Sequence, residues 1–304
     1  MTLGSSKYKY ERVEGWAKVP EYFEFNSLGE AYGLVGGVVD VAVDSQDRVY
    51  AFCRGNHPVL IFDRDGKFLS CWGEGHFVWP HAIFIAPDDS VFVVDGGAHT
   101  VEKFSLAGEE LMTLGHRNCA IPIMRREPFT LPTAVAVGPT GEIFCSNGYA
   151  NFLIHKFSPE GKLLKTWGEP GKGPGQFALP HYIAADRYGM LYVCDRQNNR
   201  VQLFDSEGQF RGEWTDFHRP QAQHIDWKND LIYTVESWHQ PDPQQPKITV
   251  RDLDGHVLSE FGGREREGKG PLEVGHGICV DSHGDIYESE IRDVCRIQKF
   301  ARPE

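Results

Sequence analysis

The chain has 304 residues, 40% hydrophobic and 24% charged, with 33 Gly, 18 Pro and 12% aromatics; that composition supplies a sizeable core and excludes disorder, collagen and a disulfide miniprotein. Formal net charge is −12 and no block of Lys and Arg stands out, so the electrostatic footprint of a nucleic-acid or anionic-membrane binder is missing and the expected partner is a small molecule or a protein. The opening MTLGSSKYKYERVEGW holds no apolar stretch of signal-peptide length, and nowhere do 18 apolar residues run together, so a cytoplasmic location is expected and neither export nor membrane spanning is supported.

In chain order, a short segment near 8–25 precedes six related copies near 37–73, 79–115, 131–168, 179–214, 221–262 and 274–300. Each reads as an alternating apolar strand, a turn rich in Asp and Gly, and an apolar strand ending in a polar residue. A connector, a V-x-x-F-like strand and D-x-x-G-x-F complete the copy, giving four short antiparallel strands. Helical periodicity with caps is nearly absent, so the chain is expected to be all-β. Units of roughly 40–50 residues that cannot bury both faces alone predict a six-bladed β-propeller, read as one domain over 1–304. The sixth copy ends at Phe300 soon after its third strand, so the segment near 8–25 is expected to supply the missing outer strand. Inserts at 116–130 and 238–247 break the period and read as rim loops, where substrate contacts commonly lie. Trp79, Phe129 and Trp238 are candidate pocket walls.

The seven Cys, at 53, 71, 119, 145, 194, 279 and 295, are scattered without a C-x-x-C pair. That spacing argues against a disulfide framework or a thiolate zinc site and for reduced, mostly core residues.

In a propeller, equivalent positions of successive blades lie at equivalent radius and height, about 60° apart for six blades. The residues opening the innermost strands read Val39, His81, Thr133, His181, Gln223 and His276. Histidines in alternate blades converge on the axis about 120° apart, the arrangement of a three-histidine metal site. The ordinary role of a single propeller histidine is a hydrogen-bonded core or channel residue; three in alternating register point instead to His81, His181 and His276 as ligands. Imidazole nitrogens suit zinc, with another divalent transition metal as the alternative, and three protein ligands leave a position for water or substrate. The other ten His default to surface or structural roles.

At offset 15 lie Arg54 in blade 1 and Arg196 in the diametrically related blade 4. Two guanidiniums facing one channel suggest recognition of a substrate carboxylate, against the alternative of pairing with Asp95 or Asp195. At offset 16 lies Tyr149, a candidate general base, against the alternative of a packed rim aromatic. Asp95, Asn147 and Asp195 recur at offset 14 and read as a device holding the strand end.

These residues resemble NHL-type propellers and, within them, the catalytic core of peptidyl-α-hydroxyglycine α-amidating lyase. The resemblance spans roughly 36–300 and is carried by FCRGNH, PHAIFI, SNGYAN, the run WGEPGKGPGQFALPHYIAADRYGMLYVCDRQNNRVQLF, and GHGICVDSHGDIY. It implies zinc on His81, His181 and His276, and active-site roles for Arg54, Tyr149 and Arg196. The family's structural calcium ligand, an Asp after the third histidine, is Gly277 here, with Val41 and Ile83 at the backbone-carbonyl positions. A calcium site is therefore in question. The family's Cys after the tyrosine is Ala150, in keeping with a reducing compartment.

The function expected on this reading is a zinc-dependent lyase that cleaves the C–N bond of a small N-acyl hemiaminal to an amide and an aldehyde such as glyoxylate. The alternatives are another hydrolase, hydratase or lyase on the same metal site, or a non-enzymatic NHL interaction propeller.

Overall fold

The computed structural model describes residues 2–23, 37–237, 244–292 and 294–303. Six antiparallel sheets form the blades. Their innermost strands are Val38–Val43, Pro80–Ile85, Ala134–Val137, Pro180–Ala185, Pro220–Asp226 and Gly275–Val280. No α-helix occurs among the described residues, only three 3-10 turns, as the period-2 patterning predicts.

The Asp-rich turns have a specific job. Asp44, Asp63, Asp186, Asp205, Asp252 and Asp281 each accept the backbone amides two and four residues ahead, closing each hairpin with a short carboxylate. The glycine of the outer hairpin serves the neighbouring blade. At Gly208 φ is +70°, and a Cβ would lie 2.8 Å from the Trp167 indole of the preceding blade. Only glycine accepts both that backbone and that approach. Core residues such as Val59, Val94, Phe144, Val193 and Ile232 lie between blades rather than on the axis.

The ring closes as expected, with a narrower strand than expected. Within the segment near 8–25, Tyr8–Val13 is the part that pairs with Arg296–Ala301, Glu11 facing Ala301 and Val13 facing Lys299. Thr2–Ser5 then adds a fifth strand outside it. Sharing blade 6 between the two ends of the chain means the ring cannot open without breaking a sheet.

Of the two inserts, 116–130 carries a short 3-10 turn, Ile123–Arg125. The second is divided: 238–243 lies outside the described residues and Lys247 already begins a strand. A short parallel pair, Glu169–Pro170 with Gln176–Phe177, links blades 3 and 4.

Candidate metal centre

At the start of the innermost strand the pairing register slips by one residue in five blades, so that Val39, His81, His181, Gln221 and His276 are bulged. A bulge bends the strand and re-aims the extra side chain. In blade 3 the equivalent Thr133 precedes the strand and is held by its amide to Ser146 O at 2.8 Å. The blade-5 member of the ring is thus Gln221, not Gln223. The signal was present in sequence: Gln221 follows Pro220 as His81 follows Pro80 and His181 follows Pro180.

Each histidine is oriented by the next blade. His81 Nδ1 lies 2.5 Å from Thr133 O, His181 Nδ1 2.8 Å from Gln221 O, and His276 Nδ1 2.6 Å from Val39 O. A carbonyl only accepts, so each Nδ1 carries the proton and each Nε2 keeps its lone pair. Even blades supply imidazoles and odd blades supply the carbonyls that fix them. The ring centroids form a nearly equilateral triangle with sides 5.0, 5.1 and 5.2 Å, and all three residues are buried. Burial first, then the neighbouring positive charges, hold His81 and His181 well below the ordinary imidazole range and push His276 down to about 3. Neutral imidazoles with converging ligand atoms within 4.8 Å of one another are a donor set that fits a tetrahedral divalent metal.

The other expected residues gather on the same mouth. Tyr149 places its hydroxyl 3.0 Å from both His81 Nε2 and His181 Nε2. Arg54 is 2% exposed, donates from Nε to Pro80 O at 2.9 Å, and stacks 4.5 Å over the Trp79 ring. Burial pushes its guanidinium down to about 10. Arg196 lies 5.6 Å over the Tyr149 ring and donates to Gln221 Oε1 at 3.4 Å. Its buried Nε has no hydrogen-bond partner among the described residues, so the guanidinium has donor capacity left for a ligand. Trp79, 5.4 Å from the Tyr149 ring, walls the site as expected. Phe129 does not: it is buried between blades, 5.4 Å from His155 and 5.9 Å from Phe157. Trp238 lies outside the described residues.

Asp95 and Asp195 hold the strand ends rather than the two arginines. Asp95 accepts the amides of Val78, Trp79, Gly97 and Ala98. Asp195 accepts those of Ala178 and Leu179 and pairs with Arg200 at 3.0 Å. Glu290 does the same for the amides of Glu273 and Val274.

Immediately below the histidines the channel has a polar floor. Asp40 of blade 1 accepts the amides of Val41 at 2.9 Å and Ile83 at 3.0 Å, and the Tyr182 hydroxyl of blade 4 reaches it at 3.3 Å. Gly277 makes room for it, because a Cβ there would lie 2.2 Å from Asp40 Oδ1. Burial pushes the Asp40 carboxyl up to about 8 against the pull of those three donors. Gly277 itself brings no carboxylate to this level of the channel, where Asp40 supplies one from blade 1 instead. Beyond the floor a separate cavity of about 330 Å³ opens to the opposite face, lined by Val41, Ile83, Ile183, Ile278 and Trp227 among others and by none of the three histidines.

The buried Cys53, Cys145, Cys194 and Cys279 are free thiols, as are Cys71, Cys119 and Cys295. No helix of the described residues is long and apolar enough to cross a membrane.

Comparison with known proteins agrees with the propeller fold. The chain is 34% identical over 223 residues to human NHL repeat-containing protein 3, a match covering 69% of this chain and 61% of the relative. It is 33% identical over 162 residues to peptidyl-α-hydroxyglycine α-amidating lyase 1 of Drosophila melanogaster, covering 49% of this chain and 29% of that one. The chain therefore spans less than two thirds of the length of either. Among solved structures, a streptogramin B lyase superposes with a TM-score of 0.60 at 14% identity, covering 97% of this chain and 98% of the other; it shares the fold. No family model matches. The chain is a six-bladed β-propeller, similar in sequence to NHL repeat-containing proteins and to peptidyl-α-hydroxyglycine α-amidating lyase.

Proposed function

We propose that the protein is a metal-dependent lyase, with zinc as the metal, that cleaves the C–N bond of an N-acyl hemiaminal bearing a carboxylate. The observation that carries this reading is the ring of three buried histidines, each with Nδ1 tied to a carbonyl of the next blade. His81, His181 and His276 would hold the metal through Nε2. Bound there, a zinc ion supplies Lewis acidity to the substrate's hydroxyl oxygen.

The rest follows from the chain's own side chains. Arg54 and Arg196 flank the centre from opposite blades and orient the substrate carboxylate by charge-assisted hydrogen bonds. Tyr149, within hydrogen-bond reach of two of the histidines, takes the hydroxyl proton and returns it to the departing nitrogen. The O–H electron pair becomes the new C=O bond, the C–N pair leaves with nitrogen, and the products are a primary amide and glyoxylate. Trp79, stacked on Arg54, shields that cation from water on one side. The similarity to an amidating lyase supports this chemistry over other reactions available to a three-histidine centre.

The test is product analysis with N-acyl-α-hydroxyglycines of differing acyl groups on zinc-reconstituted protein. The expected result is glyoxylate and primary amide in equal amounts. A different product pair, or turnover indistinguishable from the metal-stripped protein, contradicts the assignment.

A further inference from the structure

A second group of metal donors lies outside the axial channel, on the outer edge of blade 1. His57 sits in the loop between the second and third strands of that blade, Cys71 in its fourth strand Phe68–Trp72, and Glu74 in the turn leading to blade 2. His57 Nδ1 is 2.7 Å from Glu74 Oε1 and 3.6 Å from Cys71 Sγ, and Cys71 Sγ is 3.3 Å from Glu74 Oε1. One nitrogen, one sulfur and one oxygen thus form a closed triangle of unlike donors.

We propose that His57, Cys71 and Glu74 form a second zinc site, with its fourth position open to water, independent of the lyase reading. The dimensions support it. With Zn–S of about 2.3 Å and Zn–N of about 2.0–2.1 Å, tetrahedral angles separate sulfur and nitrogen by about 3.5 Å, against 3.6 Å observed. The carboxylate sits closer to the imidazole than a shared ion requires, and it is on an exposed side chain, 47% accessible, that can withdraw. The imidazole is held from behind: the Phe23 ring lies 4.4 Å from His57, and Phe68 packs on Phe23 at 5.1 Å. In this arrangement the Cys71 thiol donates to the Glu74 carboxylate at 3.3 Å; a divalent ion takes the place of that proton, so binding releases it. The absence of any C-x-x-C pair hid this set, because its ligands are of three kinds and two of them are spaced C-x-x-E.

Cobalt(II) separates this site from the axial one, since the axial centre has no sulfur ligand and only a thiolate gives a near-ultraviolet charge-transfer band to cobalt. Titrating metal-free protein with cobalt(II) should produce that band in the wild type and equally in His181→Ala, and not in Cys71→Ser. Glu74→Gln, a change on an exposed turn, should raise the cobalt concentration needed by about tenfold or more. No band in the wild type, or a band that survives Cys71→Ser, overturns the proposal and leaves the lyase reading untouched.

Discussion

The two mouths of the axial channel are built by the same six strands, yet their chemistry is opposite. At one mouth the strand starts bulge and deliver three imidazoles, joined by two guanidiniums and a phenol from just past the ends of the second strands. At the other the same strands pair regularly and present Val41, Ile83, Ile183 and Ile278, with Trp227 from the turn after the blade-5 strand, around a cavity of about 330 Å³. Asp40 and Tyr182 separate them. The apolar hollow is therefore not where the metal-donor groups converge. A one-residue register slip, not hollow volume, makes the functional end.

If that contrast is right, changes at the bulged mouth should act on turnover and changes at the apolar mouth on stability alone. Tyr149→Phe removes the hydroxyl and leaves the ring, and should lower kcat by about 10²–10⁴-fold, the usual range for a general base, while metal content is unchanged. Arg196→Ala should follow, lowering kcat/KM for carboxylate-bearing substrates by roughly 10–100-fold, as loss of a hydrogen bond to a charged group of about 1.5–3 kcal/mol implies. Its effect should shrink for substrates whose carboxylate is esterified, and equal losses on both would remove the anion-binding role.

The floor between the mouths should respond to pH instead. Asp40 titrates at about 8 when folded and near 4 when unfolded, so between those values the native state binds the extra proton. Stability contributed by this group is then fully present below about pH 4 and falls as pH rises toward 8. Asp40→Asn should flatten that decline, gaining on the order of a few kcal/mol relative to wild type at pH 8 and little at pH 5, read by urea denaturation at the two pH values. A parallel decline in both proteins contradicts it.

The smallest effect belongs to the apolar mouth. Trp227 donates to Ala185 O at 2.7 Å, and Trp227→Phe should cost about 1 kcal/mol of stability with kcat/KM unchanged.

Much of this was legible in the sequence. Strand period, Asp-Gly turns and copy number gave six blades, and the alternation of His81, His181 and His276 gave the centre, because propeller register converts directly into radius and height. Arg54, Arg196 and Tyr149 follow from the same register. Apolar alternation points to Gln223 rather than Gln221, because a bulge shifts the register in a way that only the preceding Pro220 signals. Asp40 was missed because its place depends on what a neighbouring blade lacks, the Cβ of Gly277, which no single-strand pattern reports. Phe129 was assigned to the pocket because loop membership alone does not tell which way a ring packs.

The central claim is that His81, His181 and His276 hold one metal ion. Its most direct test is elemental analysis of zinc-reconstituted, exhaustively dialysed wild-type and His181→Ala protein, with folding checked by circular dichroism. The account predicts that His181→Ala contains one metal ion fewer per chain and has no lyase activity. Equal metal content in two folded proteins would contradict it.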